Sequence, residues 1–436
     1  MIERQRYLNY LIKSQNNGFP KVITGIRRCG KSYLLNTIYK EYLLEQGINE
    51  KNIIEMDLAM ISNAYYRDPI YLFEHIIELT TKNSGINYVF LDEIQEVYDI
   101  TNLAITGGKH IKAKKGEEDI VGFVDVILDL ASHENIDLYV TGSNSKMLSS
   151  DIITEFRDKA TNITLYPLSF EEFNSYKKGY AMENLIEYLQ YGGMPLAVLN
   201  GLEEKKNYLK NLYQTTYFKD IIDRNKLQKN ESLDELTRII SSCVGSLINV
   251  EKISNTYESI KHEIIDKSTV NRYVSFFEDA FLISPVSRYD LKGKEEIGAL
   301  RKYYFVDCGL RNAILNFSDY NEGQLLENLV YNELIYNGYS VNVGVFDSYG
   351  KNKDNKTVRK NYEVDFYAIK GNRHLYIQVC DNYNSIEVKE REKKPYTLLN
   401  DQVQKIIVIK DPINETRDET GYTIIGIIDF LLRFIK

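Results

Sequence analysis

Lys21-Val22-Ile23-Thr24-Gly25-Ile26-Arg27-Arg28-Cys29-Gly30-Lys31-Ser32 joins a β-branched run to a loop bracketed by two glycines. Behind it, Leu34, Leu35, Ile38, Tyr39 and Tyr42 recur at helical spacing, so the reading is a strand over Lys21 to Gly25, a tight loop, and a helix over Ser32 to Gln46. Gly25 to Ser32 fits G-x-x-x-x-G-K-[ST]. Two glycines let the backbone curl so that successive N–H groups point inward as an anion nest, and the helix that follows adds the positive end of its dipole. The pattern predicts a phosphate cradle formed by Gly25, Ile26, Arg27, Arg28, Cys29, Gly30, Lys31 and Ser32. In it Lys31 reaches the β- and γ-phosphates of ATP and the Ser32 hydroxyl ligates Mg²⁺.

Working outward, apolar runs at Ile53 to Leu58, Tyr88 to Leu91, Leu138 to Thr141 and Ile163 to Leu165 read as strands separated by helical stretches. That alternation predicts an α/β fold with a parallel sheet covered on both faces. The second of these runs ends in Asp92-Glu93. An acid there is placed for the Mg²⁺ shell (Asp92), and its neighbour for polarising an attacking water (Glu93). The third run ends in Gly142-Ser143-Asn144-Ser145, and Asn144 is the expected γ-phosphate sensor; a turn residue bonding to its own backbone is the alternative.

The chain has 436 residues, a net charge of −8, 35 tyrosines and no tryptophan. An acidic balance leaves DNA only a local basic patch to bind. One such stretch is the polar insertion at Thr101 to Asp119, with Lys109, His110, Lys112, Lys114 and Lys115; its other reading is a solvated loop. Cys29, Cys243, Cys308 and Cys380 are too dispersed for a zinc site or a redox pair, so free thiols are expected. The last apolar stretch, Ile424 to Ile435, is short and broken by Asp429 and Arg433. The expectation is a cytoplasmic protein without a membrane span.

In combination, ITGIRRCGKS, FLDEIQEV, YVTGSNSKMLSSDIITEFR, YPLSFEEF, YGGMPLAV and RKYYFVDCGLRNAI resemble the bacterial and archaeal AAA+-type ATPases that carry a C-terminal nuclease-like domain. The resemblance spans nearly the whole chain. It implies an AAA+-like P-loop core over 1–180, a helical lid over 181–247, a winged-helix-like module over 248–322, and a restriction-endonuclease-like α/β domain over 323–436. Arg157 stands where the family has an R-G-R element whose arginine serves as a finger on a neighbouring subunit, which would imply a homo-oligomer. Here the element reads Arg157-Asp158-Lys159, and a surface salt bridge is the other reading. Gly192-Gly193-Met194-Pro195 resembles the turn that brings Pro195 over the nucleotide base; a helix-breaking turn also explains it.

Within the winged-helix-like module, Val270, Tyr273, Val274, Phe277 and Phe281 read as a core stripe. Lys267, Arg272, Arg288, Lys292 and Lys294 are candidates for DNA phosphates or, alternatively, for lid and subunit contacts. The terminal domain resembles a PD-(D/E)xK nuclease. That pattern needs a helix Glu (Glu327), a strand Asp (Asp365) and a Glu-x-Lys, which here reads Gln378-Val379-Cys380. One ligand charge and the ammonium are gone, so the expectation is a degenerate site without cleavage activity. Three functions follow in order: an Mg²⁺-dependent ATPase coupled to a DNA-related process, a slow nucleotide switch holding a protein partner, and an ATP-regulated nuclease.

Overall fold

The structure is a computed structural model that describes residues 2–114, 116–143, 160–218, 221–222, 231–351 and 357–436. The chain divides into two compact units, Met1–Tyr166 with Asp279–Phe281, and Pro167–Glu278 with Leu282–Lys436.

The first unit is built on β1 (Lys21–Thr24), β2 (Ile53–Asp57), β3 (Asn87–Asp92), the short pair β4 (Ile100–Thr101) and β5 (Ile120–Val121), β6 (Ile136–Gly142) and β7 (Thr161–Thr164). Five of these form a parallel sheet in the order β2-β3-β6-β1-β7. Every residue of β1, β3 and β6 is buried, as expected of strands covered on both faces. The order matters for chemistry. Strand β6 lies between β1, which feeds the glycine loop, and β3, which ends in Asp92, so the ends of all three meet at one edge of the sheet.

The helix after the loop runs over 31–45 and contains a π-helical turn at Leu34–Tyr39. It buries Leu34, Leu35, Tyr39 and Leu43. At the other end of the strands Lys21 and Asp137 form a fully buried ion pair, and the Asp137 carboxylate also accepts from the Tyr139 hydroxyl. The Thr101 to Asp119 insertion is anchored by its own contacts: His110 Nδ1 lies 2.9 Å from Asp68 Oδ2, and its ring stacks on Tyr71. Lys112 lies over the Tyr98 ring. Lys115 lies outside the described residues.

The second unit begins with helices α1 (Phe170–Lys177), α2 (Ala181–Tyr191), α3 (Pro195–Leu199) and α4 (Leu202–Leu212). Further on, α5 (Val250–Lys261) and α6 (Lys267–Asp279) precede a hairpin, β9 (Ile283–Asp290) and β10 (Glu295–Phe305); β8 (Leu247–Ile248) comes just before α5. After α7 (Cys308–Ile314) and α8 (Glu322–Tyr336) come β11 (Ser340–Lys351), β12 (Thr357–Lys370), β13 (Arg373–Cys380), the helix α9 (Ile386–Thr397), β14 (Gln404–Ile409), β15 (Thr416–Arg417) and β16 (Thr423–Gly426). Among the described residues the strands of this unit form one mixed sheet of nine, β15-β16-β14-β13-β12-β11-β9-β10-β8. The β9–β10 hairpin, within the span that resembles a winged-helix module, is therefore continuous with the C-terminal sheet, since β9 pairs in parallel with β11.

The polar, Lys-rich stretch Ser348 to Lys360 belongs to a hairpin: Ser348 pairs with Lys360 and Lys351 with Thr357 across β11 and β12. The closing apolar stretch begins in a strand, since Thr423–Gly426 pairs with β14. No helix among the described residues is long and apolar enough to cross a membrane.

Candidate functional site

At the end of β1 the chain turns through Gly25, with φ of 147°, and a Cβ there would run into the Leu165 carbonyl oxygen. Gly30 has φ of 100° and opens the helix. Both positions need glycine for that reason. Cys29 is buried and directs its Sγ at the Leu165 carbonyl, 3.4 Å away; burial pushes its thiol up, against the pull of Lys31 and Arg4. Lys31 is buried and curls over the loop, donating to Gly25 O at 3.0 Å and Ile26 O at 3.2 Å. Ile26 is part of the core, while Arg28 is exposed, with φ of 64°.

Ser32, at the start of the helix, hydrogen-bonds to the Asp92 carboxylate through its hydroxyl. The Thr141 hydroxyl, on β6, donates to the other Asp92 oxygen. Burial pushes the Asp92 carboxyl up, and these two hydroxyls partly offset it. Next to it, Glu93 takes a left-handed backbone with φ of 53°, which turns its side chain out of the strand. Its amide donates to Thr141 Oγ1 at 3.2 Å, and its carboxylate accepts from Ser143 Oγ at 3.0 Å and from Gln95 Nε2. Arg27 Nε closes the network by donating to Ser143 Oγ at 3.2 Å. Gln95 Oε1 is buried with no hydrogen-bond partner among the described residues. A buried orphan acceptor beside a carboxylate is a place for a further polar group.

Thus the structure brings Ser32, Asp92 and Glu93 together, and Lys31 lies on the loop that precedes Ser32. Thr141, Ser143 and Gln95 join them without having been singled out. The signal for the first two was a strand ending in hydroxyl residues next to the expected sensor; for Gln95 it was a polar residue two places after Glu93. Asn144 and Arg157 lie outside the described residues.

In the second unit the Gly192-Gly193-Met194-Pro195 turn is explained within that unit. The Gly193 amide donates to buried Asp307 at 2.7 Å, Gly193 O accepts from the Leu168 amide at 2.8 Å, and Pro195 opens α3. Of the basic candidates near the hairpin, Lys267 pairs with Glu251 and Lys292 donates to Asp347 O.

The second acidic cluster lies at the middle of the nine-stranded sheet. Glu327 on α8, Asp365 on β12, and Gln378 and Cys380 on β13 all border one cavity of about 530 Å³. Asp365 Oδ2 accepts from the Val379 amide at 2.8 Å, and Gln378 Oε1 accepts from the Asp365 amide at 2.7 Å. Gln378 Nε2 donates to Glu392, and Cys380 Sγ donates to Asn382 O, its thiol pushed up to about 11 chiefly by burial. An ammonium is present after all. Lys302, on β10, puts Nζ 3.0 Å from Glu327 Oε1 and 2.7 Å from Glu363 Oε1.

A protein from Haemophilus influenzae, described as uncharacterized, is 31% identical over 440 residues that cover 99% of both chains. The chain belongs to the family of that protein. A model described as an AAA domain matches residues 17–174, so the glycine loop and the acidic strand end lie in an AAA-type P-loop domain. A model described as a domain of unknown function (DUF8612) matches residues 182–321. The uncharacterized protein MJ1544 of Methanocaldococcus jannaschii is 28% identical, over 86% of this chain and 77% of its own. Among solved structures, AMPPCP-bound DnaA from Aquifex aeolicus is similar at 13% identity and a TM-score of 0.30, over 63% of this chain and 86% of that one.

Proposed function

We propose that the first unit binds ATP with Mg²⁺ and hydrolyses it. The observation that carries this is the hydroxyl–carboxylate contact of Ser32 with Asp92, made where the glycine loop and the acidic strand end meet. The residues fit such a ligand. Gly25 and Gly30 hold backbone conformations that an anion nest requires, and Lys31 is held over the loop by two carbonyls that are weak competitors for a phosphate. Gly25 to Ser32 would hold the phosphates, and Ser32 and Asp92 the Mg²⁺, which when bound supplies charge neutralisation on the phosphate oxygens. Glu93 orients and deprotonates the water, and the vacant acceptor of Gln95 is suited to the second hydrogen of that water.

A slow switch is favoured by one specific feature. Glu93 Oε2 accepts from both Ser143 and Gln95, and two donors on one carboxylate oxygen make it a weaker base, which slows turnover. Arg157 as a finger in trans, Asn144 as a sensor, Pro195 over the base and coupling to DNA are the finer parts of the proposal. The test is ATP hydrolysis measured against protein concentration, with and without DNA, for wild type, Lys31→Ala, Glu93→Gln and Arg157→Ala. Loss of ATP binding in Lys31→Ala, and binding without turnover in Glu93→Gln, are expected. Unchanged turnover in Glu93→Gln removes it as the base. A rate that climbs with concentration and falls in Arg157→Ala supports the finger; a low, flat rate with tight binding supports the switch.

A further inference from the structure

The nuclease resemblance implies a divalent metal between Glu327 and Asp365, and the residues present do not fit one. We infer that the ammonium of Lys302 is the resident cation of this cluster and takes the place of the metal. Lys302 is 3% exposed and bridges Glu327 and Glu363 from a strand neither belongs to. Two residues on, and so on the same face of β10, the Tyr304 hydroxyl donates to the same Glu327 oxygen at 2.6 Å. Glu327 Oε1 therefore receives both a charged and a neutral donor.

The other members of the cluster are occupied in the same way. One Asp365 oxygen takes the Val379 amide. Glu392 receives Arg391 in a fork, at 2.9 and 2.7 Å, on one oxygen and Gln378 at 3.1 Å on the other. Gln378 itself brings an amide where a metal site needs a second charge. Among the described residues no three His, Cys, Asp or Glu side chains are grouped to hold a metal ion. Glu327 and Glu363, 3.0 and 2.7 Å from Nζ, supply two counter-charges to the buried ammonium. A hard divalent cation needs several free oxygens in an open shell, and a fixed ammonium both occupies that shell and removes the charge that would attract the ion.

The lysine also differs from a nuclease lysine in what it faces. An ammonium that orients an attacking water is directed at that water, whereas this one gives two of its three N–H donors to carboxylates. The cluster thus joins β10, α8 and β12 without metal chemistry.

The experiment uses the full chain carrying Asp92→Asn, which removes the metal contribution of the first unit, and measures Tm and Mn²⁺ binding by electron paramagnetic resonance. With Lys302 present, Mn²⁺ is expected to leave Tm unchanged. Lys302→Met is expected to gain saturable Mn²⁺ binding and a Tm rise of roughly 3–6 °C at about tenfold excess over Kd, lost again when Glu327→Gln is added. Two results would overturn the inference: Mn²⁺ stabilisation with Lys302 intact that disappears in Asp365→Asn, or a folded Lys302→Met that gains nothing. Should Lys302→Met fail to fold, the comparison of the Lys302-containing chain with Asp365→Asn still decides.

Discussion

Asp92, buried, and Asp365, half-buried, both stand on sheet strands, one in each unit, and the charges around them differ. Asp92 meets two hydroxyls, from Ser32 and Thr141. Asp365 belongs to a cluster that contains a lysine. Hydroxyls satisfy oxygen lone pairs but bring no charge, so the first site keeps a negative charge that a cation can still stabilise. An internal ammonium removes that demand in the second. Whether a buried carboxylate is a binding site or a structural joint depends on how its charge is balanced, more than on its position at a strand.

The strongest way to break the comparison is at Glu93. Glu93→Gln keeps the shape and the donors while removing the charge, and kcat is expected to fall about 10²–10⁴-fold with ATP affinity retained, as read by single-turnover hydrolysis and equilibrium binding. A loss of affinity in place of turnover would make Glu93 a ligand rather than a base.

Next in size is Lys302→Met. It leaves Glu327 and Glu363 without their cation in a site where Lys302 is 3% exposed, and denaturant unfolding is expected to show a loss of about 3–5 kcal/mol. Adding Glu327→Gln removes one of the stranded charges, so the double variant should be more stable than the single one. If the two losses simply add, the charges are not coupled and the contrast with Asp92 fails.

Glu333 extends the series to a carboxyl that no cation faces closely. Its side chain accepts from the Phe170 amide at 2.6 Å, and burial pushes its pKa to about 8. A folded pKa above the unfolded value means that the folded state holds the proton more tightly. The contribution is complete below about 4.5 and is lost as pH rises through about 8. Asp307, pushed up to about 6, acts in the same direction over a lower range, so the informative window lies between pH 7 and 8. Across it stability should decline, and Glu333→Gln should flatten the slope; an unchanged slope would place the proton elsewhere.

The two clusters also differ in how far they could be read in advance. The first is written in contiguous words: a glycine loop, and an apolar run ending in Asp92-Glu93, so local spacing suffices. The lysine of the second is 25 residues from Glu327 in sequence, on a strand that reads as part of a separate module. Only the pairing of β9 with β11 brings that strand into the C-terminal sheet. The β11–β12 ladder around Ser348 and Lys360 was illegible for another reason. Residues 357–361 of β12 are exposed, so no apolar alternation marks them, and backbone pairing alone makes them strand. Asn144 lies outside the described residues; among the described ones Ser143 reaches Glu93.

Ser143 gives the smallest effect and the finest test of the neutral-partner idea. Its hydroxyl is shared between Arg27 on the glycine loop and Glu93 at the end of β3, so it ties the base to the loop that would hold the phosphates. A hydrogen bond to a charged group is worth on the order of 1 kcal/mol net, about fivefold in rate. If this bond restrains the base, Ser143→Ala should raise kcat several-fold with KM unchanged, and Gln95→Ala should act in the same direction on the same carboxylate. The two together should gain more than the product of the single effects, because either donor alone can hold Glu93 back. A fall in kcat would assign the pair the opposite role, holding Glu93 where it must act, and the first site would then be poised for turnover.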